Sequence, residues 1–271
     1  MRRSFLLLLL CLVFSGGYAQ VNPPPKARHS FIVIAHRGDH VIYPENTLAG
    51  YAEAIKHDVD YVEIDLRTTK DSELVSMHDG TVNRMTDGKG NVSDLTLDEI
   101  EQLQVKSRDS LDKKVYRVPT FAEILKRCKD KIYIYIDFKN ASASATYAML
   151  KQYSMEKQVL VYINNPQQFT DWRKTAPDMP LMVSLPGNVK DEAGMKAFLD
   201  QYKPDILDGG WKEYTPEMVS LAQGLHLTVW PDIQSKDESQ NWEQAIAKGI
   251  KGLQTDHPAA LIRFLKEKGL R

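Results

Sequence analysis

The run Asp60-Tyr61-Val62-Glu63-Ile64-Asp65-Leu66 alternates strictly. In an extended strand successive side chains point to opposite faces. Val62, Ile64 and Leu66 therefore share one side, and Tyr61, Glu63 and Asp65 the other. Such a strand needs an apolar layer outside it and a polar end inside. Ile132 to Lys139 repeats the pattern: Ile132, Ile134, Ile136 and Phe138 oppose Tyr133, Tyr135, Asp137 and Lys139.

Working outward, strands and helices take turns. Phe31–Ala35 is an apolar strand ending at His36, and Thr47 to His57 has helical spacing with Thr47 as its N-cap. Glu73 to Met77 reads as a further strand delivering His78-Asp79. Ser93 or Thr96 caps a short helix through Leu103, and 108–117 is charged loop. From Pro119 the rhythm is regular. Helices over 120–128, 141–153, 167–175, 192–201, 216–223 and 238–248 each precede a strand, at 132–138, 159–163, 181–185, 205–207, 227–230 and 252–255. A helix over 258–268 closes the chain. Alternation at this spacing implies parallel strands joined by helical crossovers. Eight such units over about 240 residues make an α/β TIM (β/α)8 barrel. An open doubly wound sheet is the competing arrangement, and no GxGxxG follows any strand to support its dinucleotide form.

The ends and the composition narrow the class. Arg2 and Arg3, the apolar run Phe5 to Phe14, and Ser15-Gly16-Gly17-Tyr18-Ala19 describe a signal peptide over 1–19, too short to span a bilayer. Export to the periplasm or outside the cell is expected, with no stable membrane span after cleavage. Residues 20–30, with Pro23-Pro24-Pro25, read as an extended tether, leaving 31–271 as the barrel. Lys+Arg number 35 against Asp+Glu 36, which argues against nucleic acid as a partner. Loss of the leader removes Cys11 and leaves Cys128, read as a buried structural thiol. Oligomeric state is open.

Barrel enzymes work at the carboxyl ends of their strands. His36, Glu63, Asp65, Asp137 and Lys139 all fall there. Glu63 and Asp65, two positions apart, face the same mouth, where like charges need a compensating cation. A hard divalent ion on Glu63, Asp65 and Asp137 answers that need. His36 and His78 suit general acid and base, their roles interchangeable at this stage. Arg37 and Lys139 suit binding of phosphate oxygens. Glu45 either ligates the ion or orients Arg37; Asp79 either holds His78 or serves its turn. Trp230, opposite Leu227 and Val229, is expected to wall the pocket, with Trp211 a second candidate. Asn46 reads as tightening its loop, Asp256 as organising the last loop, and His40 as a surface or packing residue.

His36-Arg37, Glu45-Asn46, Glu63-x-Asp65 and His78-Asp79, in that order, resemble the hallmark of the glycerophosphodiester phosphodiesterases. The likeness continues through Leu95-Thr96, Val118-Pro119-Thr120, Asp137-Phe138-Lys139 and Leu253-Gln254-Thr255-Asp256. It implies a barrel with an insertion after the second strand, here short and over about 80–117. It also implies one divalent cation, Ca²⁺ or Mg²⁺, catalysis by both histidines, and an aromatic at Trp230. The family's third carboxylate is usually Glu, so Asp137 is a departure. The implied reaction cleaves a glycerophosphodiester to glycerol 3-phosphate and an alcohol, by direct water attack or through a cyclic phosphate. The alternatives are a lysophospholipase D-like or phospholipase C-like lipid phosphodiesterase, and a non-catalytic barrel that binds a phosphorylated ligand.

Overall fold

The computed structural model describes residues 21–26, 28–109 and 111–271. The expected leader over 1–19 lies outside them. Among the described residues no helix is long and apolar enough to cross a membrane.

Alternating burial builds a closed parallel barrel. β1 (Ile32–Ala35) leads to α1 (Leu48–Lys56), then β2 (Tyr61–Thr68) and β3 (Leu74–Ser76). The short α2 (Leu97–Glu101) precedes α3 (Phe121–Cys128) and β4 (Tyr133–Phe138). Thereafter α4 (Ala143–Tyr153), β5 (Val159–Ile163), α5 (Pro166–Thr175), β6 (Leu181–Ser184), α6 (Glu192–Tyr202) and β7 (Ile206–Asp208) alternate. The chain ends with α7 (Pro216–Gly224), β8 (Thr228–Val229), α8 (Trp242–Ala247), β9 (Gly252–Thr255) and α9 (Pro258–Glu267). Parallel neighbours run β8-β7-β6-β5-β4-β2-β1-β9. Asp232, just past β8, bridges to Gly210 on one side and to Gln254 of β9 on the other, which closes the ring. This is the TIM barrel expected. β3 stands outside it, antiparallel to β2.

Two apolar layers flank the strands. Val62, Ile64 and Leu66 face outward into the large core shared with the helices. Tyr61 faces inward, with Ile34, Tyr135, Leu160, Met182 and Trp230. Each aliphatic side chain buried this way contributes roughly 1.5–3 kcal/mol. Helix starts follow their caps. Thr47, Thr96 and Thr120 accept from the backbone N–H three residues on, and the last two form full capping boxes with Glu99 and Glu123.

Two expectations shift, and two segments gain detail. The helix over 238–248 is broken into a 3-10 turn (Glu238–Gln240) and α8, because Glu238 turns inward and accepts from Thr255 Oγ1 and the Asp256 N–H. β8 keeps only Thr228–Val229, although the Trp230 and Asp232 N–H groups still donate to the Leu207 and Gly209 carbonyls; Pro231 between them has no N–H to offer the other neighbour. Within the segment called a tether, Tyr61 and Tyr133 hydroxyls donate to the Pro25 and Lys26 carbonyls. Asn22 binds Asp205 and Pro177, so Val21–Lys26 lies across the amino-terminal end of the barrel. Residues 80–117 carry Val82, Met85, Val92, Ile100, Val105 and Tyr116, which pack with Val75, Met77 and Val118 into a small separate apolar cluster.

Candidate active site

The turn after β1 sets the site. Arg37 (φ 54°) and Asn46 (φ 54°) both occupy the left-handed region, unusual for residues with a Cβ and typical of functional turns. Each is held by what it binds. The Arg37 N–H donates to Glu63 Oε2 at 2.7 Å. Asn46 Nδ2 donates to Asp65 Oδ2 at 2.7 Å, while its Oδ1 accepts from Tyr51 and Ser76. Gly38 (φ 84°) completes the turn; a Cβ there would sit 3.0 Å from Gly50 C and Tyr51 Cδ1. Its space is needed against α1.

Glu63, Asp65 and Asp137 each offer an oxygen, all within 4.8 Å of one another. Glu63 and Asp65 are buried and Asp137 is partly so. Burial, then Asp65 and Asp137, push the Glu63 carboxyl well above the usual carboxylate range. Two fixed cations lie against the trio. Lys139 Nζ is 3.1 Å from Asp65 Oδ1 and 2.5 Å from Asp137 Oδ2, and Arg37 Nε is 3.5 Å from Asp65 Oδ2. Burial pulls both cations down, but the acids outweigh it and hold each above its ordinary pKa. Asn164, at the end of β5, donates to Asp137 Oδ1 at 2.8 Å. The donor set is three carboxylates with no sulfur or nitrogen, crowded enough that one is driven toward protonation. That chemistry fits a hard divalent cation.

Each histidine has a carboxylate behind it. His36 Nδ1 is 2.7 Å from Asp256 Oδ1, and His78 Nδ1 is 2.9 Å from Asp79 Oδ1. Burial raises Asp256, but the His36 hydrogen bond and the charges of His36, His40 and His257 outweigh it and hold the carboxyl low. Asp79 is held below its usual range chiefly by Arg84, which binds both of its oxygens at 2.8 and 2.9 Å. Arg84 also reaches Glu45, whose Oε1 accepts from Arg37 at 2.9 Å. Glu45 thus orients Arg37 and lies outside the 4.8 Å trio.

Two tryptophans are not where sequence placed them, and two other residues do more than it assigned. Trp230 is buried at 6% exposure, tilted against Tyr61 with centroids 5.2 Å apart. A Cβ on Gly252 would meet its Cδ1 at 2.2 Å. Tyr61 and Gly252 open their strands, so Trp230 fills the barrel interior below the carboxylates instead of walling the mouth. Trp211 is buried in the outer core, with Lys248 Nζ 4.8 Å from its ring. Asp256 does more than organise a loop, since it holds His36. His40 is buried, its Nε2 3.5 Å from the same Asp256 oxygen and its Nδ1 2.8 Å from the His36 carbonyl. Asp256 follows β9, so the strand-end rule could have marked it. Arg84, in the insertion, carried no such signal.

The chain matches the model of the glycerophosphoryl diester phosphodiesterase family over residues 36–260. It is 29% identical over 248 residues to a glycerophosphodiester phosphodiesterase of Caldanaerobacter subterraneus subsp. tengcongensis, covering 88% of this chain and 99% of that one. A solved glycerophosphoryl diester phosphodiesterase, so described, from Silicibacter pomeroyi superposes with TM-score 0.78 at 23% identity, covering 90% and 95% of the two chains. An Oleispira antarctica phosphodiesterase, solved with the product sn-glycerol-3-phosphate, superposes with TM-score 0.76 at 22% identity over 87% and 96%. With a family match spanning every strand from β2 to β9 and all the residues of the mouth, the chain belongs to the glycerophosphoryl diester phosphodiesterase family.

Proposed function

We propose that this is an exported, divalent-cation-dependent enzyme that hydrolyses glycerophosphodiesters to glycerol 3-phosphate and an alcohol. The observation that carries the reading is the meeting of Glu63, Asp65 and Asp137 within 4.8 Å, with Arg37 and Lys139 against them. The activity of the relatives and the product in the Oleispira antarctica protein support it.

In this reading the three carboxylates hold one Ca²⁺ or Mg²⁺. When bound, that ion supplies positive charge and Lewis acidity to an anionic ester. Arg37, fixed by Glu45, presents a planar fork to the non-bridging phosphate oxygens, and Lys139 a point charge. Both favour the charge that grows as the leaving bond breaks. One imidazole of the His36/His78 pair takes the proton of the attacking hydroxyl and the other gives one to the departing alkoxide. Asp256 and Asp79 hold the Nδ1 sides, leaving Nε2 for the substrate. Attack by water and attack by the glycerol 2-hydroxyl both use this pair.

The test is an assay of purified protein on glycerophosphocholine, glycerophosphoethanolamine and glycerophosphoglycerol, with and without chelator, trapping any cyclic phosphate. Release of glycerol 3-phosphate that stops with chelator and returns with Ca²⁺ or Mg²⁺ is expected. Turnover unaffected by chelator would remove the cation from the reading. Export rests on the basic, apolar and small-residue order of 1–19; a mature protein retaining Met1 would end it.

One observation favours a lipid substrate as second reading. Val41, Ile42, Leu111 and Val115 are the large aliphatics exposed by half or more among the described residues. They lie on two touching loops beside the mouth: Arg108 binds the His40 carbonyl, and Tyr43 meets Tyr116 at 6.3 Å. Lys106, Arg108, Lys113, Lys114 and Arg117 flank them. Aliphatics beside basic residues suit an anionic lipid surface. Faster turnover of a lysophospholipid than of its deacylated counterpart, lost in Ile42→Ser/Leu111→Ser, is the outcome this reading requires.

A further inference from the structure

The barrel mouth has a second set of carboxylates that the reaction above does not use. Asp208 ends β7 and faces inward, and Asp232 follows β8 on the neighbouring strand. Asp208 is 2% exposed; its Oδ2 accepts from Tyr135 at 2.9 Å, and its Oδ1 has no aligned donor among the described residues. Gln254 of β9, 4% exposed, gives its amide N–H to Asp232 Oδ1, which also accepts from Gln234 at 3.0 Å. The other end of that amide, Gln254 Oε1, is likewise buried without a donor. Asp232 itself is partly open to the mouth. Among the described residues no lysine or arginine forms a salt bridge with either acid; burial raises both, Asp232 adds to it at Asp208, and Asp137 adds to it at each.

These atoms are all acceptors. Asp208 Oδ1 and Gln254 Oε1 are buried with no donor aligned on them among the described residues, while Tyr135, Gln234 and the Gln254 amide serve the oxygens beside them; an unpaired buried acceptor is costly. The complement is a positively charged group with several N–H donors. A quaternary ammonium has the charge and no donors, and a polyol has donors and no charge. We propose that Asp208, Asp232 and Gln254 form a subsite for a primary ammonium group on the alcohol half of the substrate. The proposal rests on the phosphodiesterase reading, because it takes the phosphate to lie at Arg37 and Lys139. It makes aminoethyl esters better substrates than trimethylammonioethyl or glycerol esters. Asp232 touches the head group at the rim, and Asp208 and Gln254 accept from it below.

The test compares kcat/KM for glycerophosphoethanolamine and glycerophosphocholine in the wild type and in Asp232→Asn and Asp208→Asn. Hydrogen bonds to a charged group contribute about 1.5–3 kcal/mol, so the wild-type preference should be roughly tenfold to a hundredfold. Either variant should bring that ratio close to one. A second arm needs no turnover: calorimetric binding of phosphoethanolamine and phosphocholine to the same three proteins, each shown folded by circular dichroism. Phosphoethanolamine should bind more tightly to the wild type alone. A wild type without the preference overturns the proposal. So do variants that lose both esters in equal proportion, which marks the pair as structural or as sharing a proton. Stabilisation of the wild type by Na⁺ or K⁺, lost in Asp208→Asn with no ammonium preference, assigns the cradle to an inorganic ion and also overturns it. If no phosphodiester is turned over, the functional reading fails while the binding arm still decides the subsite.

Discussion

Along β2 and β4, three carboxylates crowd within 4.8 Å and two fixed cations lie against them. Across the mouth, Asp208 and Asp232 form no salt bridge with a lysine or arginine among the described residues, and Asp256 lies against His36 and His40. The first wall is therefore arranged for an anion and a cation together. Its Arg37 and Lys139 are partly neutralised by the acids beside them. On the second wall Asp256 fixes a ring, and Asp208 and Asp232 belong to the ammonium subsite proposed above. In the proposed reading the cation and phosphate ligands sit on one side of the strand ends and head-group selectivity on the other, with one imidazole tied to each.

The comparison breaks most visibly at the histidines, one tied to each side. His36→Ala and His78→Ala should each lower kcat by roughly two to four decades, with circular dichroism unchanged. If one variant keeps a near-normal rate, its side holds no acid or base. Next comes the support behind the ring. Asp256→Asn should cost roughly ten- to hundredfold in kcat with KM little altered, because the imidazole loses its fixed orientation while phosphate binding stays on the other wall. A change confined to KM would place Asp256 in substrate binding instead.

The two walls were unequally legible in the sequence. Glu63, Asp65 and Asp137 declare themselves because alternation within one strand fixes which face each takes, and burial of Val62 and Ile64 leaves no other register. The eight units followed from strands and helices taking turns along the chain. Asp256 and His36 are 220 residues apart and meet only because β9 pairs with β1. Asp232 faces the mouth through an irregular bridge after Pro231, where no strand pattern operates. Trp230 was misplaced for a related reason. Alternation gave its face correctly as inward, but depth along the barrel depends on the stagger between strands, which a single strand does not encode. Arg84 reaches Asp79 and Glu45 from a loop whose path is set by the small cluster around Val82 and Met85.

A smaller effect sharpens the charge contrast. Burial and the neighbouring acids raise the Glu63 carboxyl above its ordinary value. A carboxyl raised in the folded state contributes stability that is fully present below the unfolded pKa, near about 4.3, and is lost as pH rises through the folded pKa. Chelated protein should therefore lose this contribution toward pH 8, and added Ca²⁺ or Mg²⁺ should restore stability there more than at pH 5. At a hundred times Kd the gain is about 2.7 kcal/mol, or about 5–10 °C in Tm for a chain of this size. Glu63→Gln should flatten the pH dependence and abolish the cation effect, whereas Asp232→Asn should keep it. Equal cation stabilisation at both pH values would remove Glu63 from the ion's surroundings.

The smallest effect lies at the junction between His78 and the trio. Arg84 bridges Asp79 to Glu45, and Glu45 in turn holds Arg37, so one guanidinium couples the aim of an imidazole to the aim of the phosphate fork. Its side chain is 46% exposed, and exposed ion pairs contribute about 0–1 kcal/mol. Arg84→Gln should therefore shift Tm by no more than a few degrees. Its kinetic signature should be split. KM rises a few-fold as Arg37 swings, and kcat falls a few-fold as Asp79 releases His78. Arg37→Lys, which removes the planar fork and leaves Asp79 in place, should move KM alone. Combining Arg84→Gln with Arg37→Lys should then add nothing further to KM while keeping the kcat loss, because the two share one route to the phosphate and only one touches the imidazole. A double variant whose KM losses simply multiply would show that Arg84 acts on the substrate directly, and that Glu45 transmits nothing between the two sides.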